Sequence, residues 1–187
     1  MFSLYYLKKD WIAAVIKMIL RYAKIEEADE CYRILDEGRN YQNSQGFEQW
    51  LKEYPAPETV TEDIAEGIGY VFEDEKGLIG YCAIIFTGEP VYSSIEGEWK
   101  TDNPYAVVHR IAFGDNRRGT GCSKKAFDLI KEYAHEKGFE AVRIDTKAEN
   151  KVMQHIVQRE GFQYCGIVYY NGSPRLAYEW NNKEEEK

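Results

Sequence analysis

The stretch RRGTGCSKKAF, residues 117–127, sets two arginines and two glycines directly before a segment whose apolar residues repeat with helical spacing. Glycine lets the backbone turn tightly and lets a ligand come close to it. A helix start leaves its first N–H groups unpaired and carries a partial positive charge. The stretch therefore predicts an anion site at a helix start. The alternative is an ordinary strand-to-helix turn with solvated arginines.

Two standard phosphate-binding motifs are absent from this turn. The sequence has no GxxxxGK[ST] pattern, which excludes a Walker-type loop. Lys124 stands where a GxGxxG motif would have its third glycine. The predicted anion site therefore has to be of another kind.

The sequence around the turn predicts an α/β fold, with a mixed sheet and helices on both faces. A hairpin and the strand YAVVHRIAF, residues 105–113, precede the turn. A helix to about residue 137, the strand AVRIDT, another helix and a closing hairpin follow it. Regular alternation divides the residues of the first strand between two faces. One face carries Val107, His109, Ile111 and Phe113, and the other carries Val108, Arg110 and Ala112.

Two helical segments lie earlier in the chain. The first, within residues 24–41, has one apolar face, made of Ala28, Cys31, Ile34 and Leu35. The second is broken by Pro55 and Pro57, after which Thr59 or Thr61 is expected to cap a new helix.

Length and charge restrict the domain count and the partners. The 187 residues suit one domain, which we expect over residues 18–180, with an N-terminal extension at 1–17 and a flexible acidic tail at 181–187. The net charge of −8 argues against nucleic acid and against a membrane surface as partners. The apolar segment 11–20 is too short to span a bilayer. A homodimer is kept as an open alternative to a monomer.

The four cysteines predict neither a zinc site nor a disulfide framework. No pair has CxxC spacing, and no histidine lies nearby at ligand spacing. Reduced thiols indicate a cytoplasmic protein, and no metal is expected.

RRGTGCS resembles the acetyl-CoA signature of the GNAT superfamily of N-acetyltransferases, [QR]-x-x-G-x-[GA]. Arg118 takes its first position, Gly121 its fourth, and Ser123 its last, where the family has Gly or Ala. RIAF resembles the family's fourth strand, RIDTKAENKVMQHIVQREGFQYCG its second cofactor region, and MILRYAKIEEAD its opening strand and helix. The resemblance covers about residues 18–180. It implies a mixed, mostly antiparallel sheet whose fourth and fifth strands splay apart.

The resemblance also implies a cofactor site for acetyl-CoA as co-substrate. The backbone amides of residues 118–123 would hold the pyrophosphate, and Ile111 and Phe113 would pair with the pantetheine arm. Asn150 would hydrogen-bond the cofactor from the start of the next helix. The full implied set is Ile111, Phe113, Arg117, Arg118, Gly119, Thr120, Gly121, Cys122, Ser123 and Asn150.

The candidates for proton transfer lie on the 105–113 strand and in the loop before it. His109 is placed near the expected thioester, and histidine suits a general base because its charge changes near neutral pH. Glu98, and after it Glu96, would serve through water. The alternatives are a hydrogen-bonded core histidine and solvated loop carboxylates.

Three aromatic residues are candidates for the wall of an amine pocket, where ring faces attract a cation. They are Trp50, Tyr92 and Trp99, and the alternative for each is packing alone. The sequence leaves the acceptor open among polyamines, aminoglycosides, amino acids and protein N-termini.

The leading hypothesis is an N-acetyltransferase that moves an acetyl group from acetyl-CoA to a primary amine of a small molecule or peptide, by direct attack in a ternary complex. The runner-up is a catalytically silent acyl-CoA-binding protein. It is kept because Val157 stands where many family members have a tyrosine that protonates the leaving thiolate. Tyr164 and Tyr105 are alternative donors. A third hypothesis is an unrelated structural α/β domain.

Overall fold

The structure is a computed structural model and describes residues 18–182. The predicted N-terminal extension at 1–17 and the tail beyond 182 lie outside the described residues. The helices are α1 (Ala28–Ser44), α2 (Pro57–Ala65), α3 (Cys122–Glu136) and α4 (Lys151–Arg159). The strands are β1 (Ile19–Tyr22), β2 (Gly69–Asp74), β3 (Gly77–Ile85), β4 (Glu96–Gly97), β5 (Tyr105–Phe113), β6 (Ala141–Thr146), β7 (Gln163–Tyr170) and β8 (Ser173–Asn181).

These strands form one sheet in the order β1–β2–β3–β5–β6–β8–β7–β4. β5 and β6 run parallel, and the other neighbouring strands are antiparallel. α1 and α2 pack on one face, and α3 and α4 pack on the other. The predicted mixed, mostly antiparallel sheet between helices is confirmed. The sequence does not predict the two-residue β4, so the fourth and fifth strands of the resemblance are β5 and β6.

The structure agrees with the apolar face predicted for α1 and differs from the start predicted for α2. The apolar face of α1 is confirmed, since Cys31, Ile34 and Leu35 are buried. Pro57 begins α2 instead of breaking it, because proline at a first helical position lacks only an N–H that would have no helical partner. The Ala56 N–H donates to Thr59 Oγ1 over 3.1 Å, so this threonine lies inside the first turn.

A β-bulge interrupts β5 at the level of the cleft. One residue of β3, Cys82, lies opposite two of β5, Arg110 and Ile111, and Arg110 has φ +54°. The extra residue shifts the alternation, so Ile111 packs with Val108 in the core under α3, while His109 stays on the opposite face. The predicted single face for His109 and Ile111 is therefore wrong, because regular alternation assumes an unbulged strand.

The splay of β5 and β6 is the feature that positions the site. The two strands pair only where residues 105–107 face residues 141–143. Beyond that point β5 continues to Phe113 and β6 to Thr146 without pairing with each other. The predicted splay is confirmed. Because parallel strands end at the same edge, the starts of α3 and α4 both lie at the opening.

Candidate active site

Two adjoining cavities occupy the cleft where β5 and β6 separate. The first, called here the groove, has a volume of about 450 Å³ and is lined by the glycine turn and by residues of α4. The second, called the pocket, has a volume of about 560 Å³ and is lined by His109 and by polar side chains of β6 and β8. The cavities are contiguous, because five residues line both: Gln42, Trp50, Ile111, Asn150 and Met153.

The structure brings most of the predicted cofactor residues together around the groove. The groove lining includes Ile111, Phe113, Arg117, Arg118, Gly119, Gly121, Cys122, Ser123 and Asn150. Thr120 is exposed and does not line it; its hydroxyl donates to the Arg117 carbonyl over 2.7 Å. His109 and Trp50 line the pocket, whereas Glu98, Tyr92 and Trp99 do not.

The glycine turn requires glycine for its backbone conformation. Gly119 and Gly121 have φ +73° and +83°, values that favour glycine. A Cβ added at either position would meet no atom within 4 Å, so space is not the constraint. Gly121 is the N-cap of α3, whose first N–H groups have no intrahelical acceptor. These groups border the groove, and their partial positive charge favours an anion there.

The two arginines of the turn are fixed by the protein itself. Arg117 Nη2 lies 2.6 Å from Asp74 Oδ2. Arg118 Nη2 donates to the Glu37 carbonyl over 2.9 Å, and its guanidinium lies 4.4 Å from the centre of the Tyr41 ring. Both side chains therefore hold the turn against neighbouring elements, and the charge of Arg117 is largely neutralised.

Arg159 is a groove residue that the sequence analysis missed. Its Nη2 donates to Ser123 Oγ over 2.9 Å, which joins the end of α4 to the start of α3. The Arg159 side chain is 44% exposed, and its guanidinium also pairs with Glu160. Met153, Ile156 and Arg159 line the groove at successive spacings of three residues. That helical spacing is the signal that would have selected Arg159.

Asn150 and Gln49 fix the start of α4 at the boundary between the cavities. Asn150 Oδ1 accepts from the Met153 N–H over 3.1 Å, which makes it the N-cap of α4. Its Nδ2 donates to Gln49 Oε1 over 3.1 Å. The same oxygen accepts from Thr146 Oγ1 and from the Lys147 N–H. Gln49 lies in a loop far from β6 in sequence, and no motif marks it.

His109 and Glu89 form a hydrogen-bonded pair in the pocket. His109 Nε2 and Glu89 Oε2 are 2.9 Å apart, and each side chain is 16% exposed. The hydrogen bond from His109 holds the pKa of the Glu89 carboxyl below its usual range. A carboxylate only accepts hydrogen bonds, so Nε2 carries the hydrogen and Nδ1 of the neutral ring keeps the free lone pair. Glu89 is not predicted from sequence, because it lies in the same connection between β3 and β5 as Glu98 and no spacing distinguishes it.

Glu98 and Glu96 lie at the far edge of the sheet. β4 pairs with β7, and three strands, β6, β8 and β7, separate it from β5. The Glu98 N–H donates to the Cys165 carbonyl over 2.9 Å, and the Glu96 carboxylate accepts from the Tyr169 hydroxyl over 2.8 Å. Both glutamates are exposed, and the structure does not bring them to His109.

The three aromatic candidates occupy different places. Trp50 is 7% exposed and lines both cavities. Tyr92 is buried and packs against Trp99, whose Nε1 donates to the Tyr92 carbonyl over 3.0 Å. The ring of Trp99 lies 4.0 Å from the Arg143 guanidinium. Tyr92 and Trp99 are therefore packing residues beside the pocket, and Trp50 is the candidate that faces it.

Asp145 lies in the pocket where β5 and β6 have parted. Its Oδ2 accepts from the Tyr92 hydroxyl over 2.9 Å and from the Tyr170 hydroxyl over 3.1 Å. Burial raises the pKa of both phenols, so both stay protonated and donate to the carboxylate.

Two arginines of the pocket differ in their partners. Arg110, at the β5 bulge, donates to both carboxylate oxygens of Asp63 over 2.6 and 3.0 Å and to the Tyr54 hydroxyl over 2.9 Å. Arg175, on β8, has its Nε and Nη1 atoms buried, and neither makes a hydrogen bond within residues 18–182.

Val157 and the two alternative tyrosines lie away from the pocket. Val157 is fully buried in the core on the α3 side of the sheet. Tyr164 is 48% exposed on β7, and Tyr105 packs against Arg143. The phenols that line the pocket are those of Tyr54 and Tyr170.

Residues 18–182 contain no helix that is long and apolar enough to cross a membrane. They also contain no group of three or more His, Cys, Asp or Glu residues placed to hold a metal ion.

Comparisons with known proteins agree with this geometry. A model of the acetyltransferase (GNAT) family matches residues 25–162. A GNAT-family acetyltransferase from Streptococcus agalactiae is 34% identical, with 89% of this chain and 96% of that chain covered and a TM-score of 0.82.

Two more distant structures share the fold. A GNAT-family acetyltransferase from Listeria monocytogenes is 20% identical, with 88% and 94% of the chains covered and a TM-score of 0.69. The aminoglycoside acetyltransferase AAC(6')-Ib, solved with coenzyme A, is 15% identical, with 89% and 95% covered and a TM-score of 0.66. A search of curated proteins found no match.

Proposed function

This chain belongs to the acetyltransferase (GNAT) family and is an acyltransferase, and we propose that it moves an acetyl group from acetyl-CoA to the primary amine of a small molecule or peptide. The amine attacks the thioester directly, in a ternary complex. The observation that carries the proposal is the contiguity of the groove and the pocket across the parted strands. A donor in the groove and an acceptor in the pocket then meet beside Ile111 and Trp50.

The groove supplies contacts for coenzyme A. The free N–H groups at the start of α3 bind the pyrophosphate, with added positive charge from Arg159. Beyond residue 107 the backbone of β5 has no strand partner on the β6 side, so Ile111 and Phe113 are available to the pantetheine arm. That AAC(6')-Ib, which shares the fold, was solved with coenzyme A supports this use of the groove.

The pocket supplies the base. The amine gives a proton to Nδ1 of His109, while Glu89 orients the ring through Nε2 and stabilises the imidazolium that forms. The amine nitrogen forms a bond to the acetyl carbon, the carbon–sulfur bond breaks, and coenzyme A leaves as a thiolate that takes up a proton. An alkyl thiol has a pKa of about 8.5, so the thiolate leaves readily without a dedicated acid at the Val157 position.

A panel assay distinguishes this enzyme from the silent acyl-CoA-binding alternative. Release of the coenzyme A thiol is measured with polyamines, aminoglycosides, amino acids and peptides. The four cysteines are buried, and burial raises the pKa of Cys31 to about 12, so they interfere little with a thiol reagent. We expect turnover with at least one amine. Stabilisation by acetyl-CoA without turnover on any amine would favour the silent protein.

A further inference from the structure

Arg175 is a cation that the pocket leaves without a protein partner. Its side chain lines the pocket, and its buried Nε and Nη1 atoms make no hydrogen bond within residues 18–182. The residue is half-buried and its guanidinium stays charged at all working pH values, so two buried N–H donors without acceptors are unfavourable. An anion that enters the pocket relieves this cost.

The two carboxylates that face the pocket already form hydrogen bonds within the protein. The other arginine of the pocket is already paired with a carboxylate. Glu89 accepts a hydrogen bond from His109, and Asp145 accepts from two tyrosines. Arg110 is held by both oxygens of Asp63. The protein therefore offers Arg175 no carboxylate within the described residues, although two lie in the same pocket.

We propose that the acceptor amine also carries a carboxylate, and that Arg175 binds it. This rests on the proposed function, since it names the class of amine that the same pocket takes. One unpaired guanidinium matches one monoanion, whereas Glu89 and Asp145 repel a dianion such as a phosphate ester. The acceptors are then amino acids and similar amine-carboxylates, and diamines are poor substrates.

The register of the sheet sets the spacing between the two ends of such a molecule. Asp145 lies opposite Ala177 of β8. Arg175 is two residues from Ala177 on the same face of β8, about 7 Å along the strand. Tyr170 connects His109 to Asp145, because its ring centre lies 6.4 Å from that of His109 and its hydroxyl donates to Asp145. A carboxylate held by Arg175 therefore directs the amine of a small molecule toward His109.

The test is the preference between matched substrates. Coenzyme A release is measured with primary-amine amino acids, with the carboxamide of each, and with putrescine. The parent should favour its best amino acid over the matching carboxamide by about 100-fold in kcat/KM, the effect of a charged hydrogen bond. Arg175→Met should reduce this ratio at least about tenfold, mainly through KM, and Arg175→Lys should restore part of it. Arg33→Met, an exposed α1 control, should keep it.

The inference is overturned if carboxamides or putrescine are used as well as amino acids, or if Arg175→Met keeps the preference. Thermal shift in the presence of coenzyme A reads acceptor binding without chemistry. Amino acids that stabilise the parent but not Arg175→Met, with no acetylated product, would uphold Arg175 as the carboxylate site of the pocket and overturn the proposed acetyl transfer. Acetylation of putrescine but of no amino acid would overturn the inference and uphold the proposed function. If no amino acid gives either turnover or a thermal shift, the inference is overturned.

Discussion

The groove and the pocket differ in whether their charged side chains are paired within the protein or face the cavity. In the groove, Arg117 and Arg118 are tied to neighbouring elements, and an anion is left the backbone N–H groups at the start of α3 and the partly exposed side chain of Arg159. In the pocket, the Glu89–His109 pair and Arg175 present side chains to whatever enters. Under the proposed function, the groove binds the constant ligand mainly through the backbone, and the pocket selects and activates the variable one.

The largest expected effect separates chemistry from binding. His109→Gln removes the base, so turnover should fall about 10²- to 10⁴-fold while the Kd for acetyl-CoA stays nearly unchanged. Glu89→Gln should show a smaller loss, because the base remains but loses the carboxylate that orients it. Steady-state kinetics and a binding titration provide the two readouts.

Glu98→Gln is the matched control for these variants, since Glu98 lies outside the pocket. It should keep near-parental turnover. If Glu98→Gln lost more activity than Glu89→Gln, the assignment of the pair in the pocket would be refuted.

The next effect compares a paired arginine with the unpaired one. Arg143 Nε lies 2.7 Å from Glu179 Oε2, and both side chains are almost fully buried. Arg143→Met leaves Glu179 as an uncompensated buried charge, which should cost about 3–5 kcal/mol in the free energy of unfolding. Arg175→Met removes a charge that has no partner and should cost far less. Urea denaturation measures both, and equal losses would contradict the contrast.

A smaller effect tests the backbone site of the groove. Valine at Gly121 would have to adopt φ +83°, so Gly121→Val should misplace the start of α3. In the parent, acetyl-CoA at about 100 times its Kd should stabilise the fold by about 2.7 kcal/mol. Gly121→Val should lose this gain in a thermal-shift assay.

Gly138→Val carries a similar strain, at φ +85°, just beyond the C-terminus of α3. It should lower stability but keep the response to acetyl-CoA. A full response in Gly121→Val would mean that the turn does not form the anion site.

The smallest effect is the dependence of stability on pH at Glu89. Because the folded-state pKa of this carboxyl is lowered, its stabilising contribution is present above the unfolded-state pKa of about 4.3. That contribution is lost as the pH falls through the folded-state pKa. The stability of the parent relative to Glu89→Gln should therefore decline as the pH falls below about 5. Acid-unfolding curves measure this, and an advantage that grew below about pH 4 would be inconsistent with the hydrogen-bonded carboxylate.

Most residues of the groove could be predicted from sequence because they lie in a few short segments with recognisable motifs. The signature turn, the strand before it and Asn150 all lie in short segments, and they converge once β5 and β6 separate. Most residues of the pocket could not be predicted, because they come from loops and strands that are far apart in sequence. Glu89 and Gln49 carry no motif, and the bulge at Arg110 inverts the alternation that placed His109 and Ile111 on one face.

Some expectations stay predictions. They are the alternative of a homodimer, the cytoplasmic location and the domain boundaries, of which the extension at residues 1–17 lies outside the described part of the chain.

Two-substrate initial-rate kinetics test the central claim most directly. Coenzyme A release is measured over a grid of acetyl-CoA and an amine that supports turnover, and mass spectrometry identifies the product. Direct transfer across contiguous cavities predicts intersecting double-reciprocal lines and an N-acetylated amine. Parallel lines, which indicate an acetyl-enzyme intermediate, or coenzyme A release that does not depend on the amine, would contradict the account.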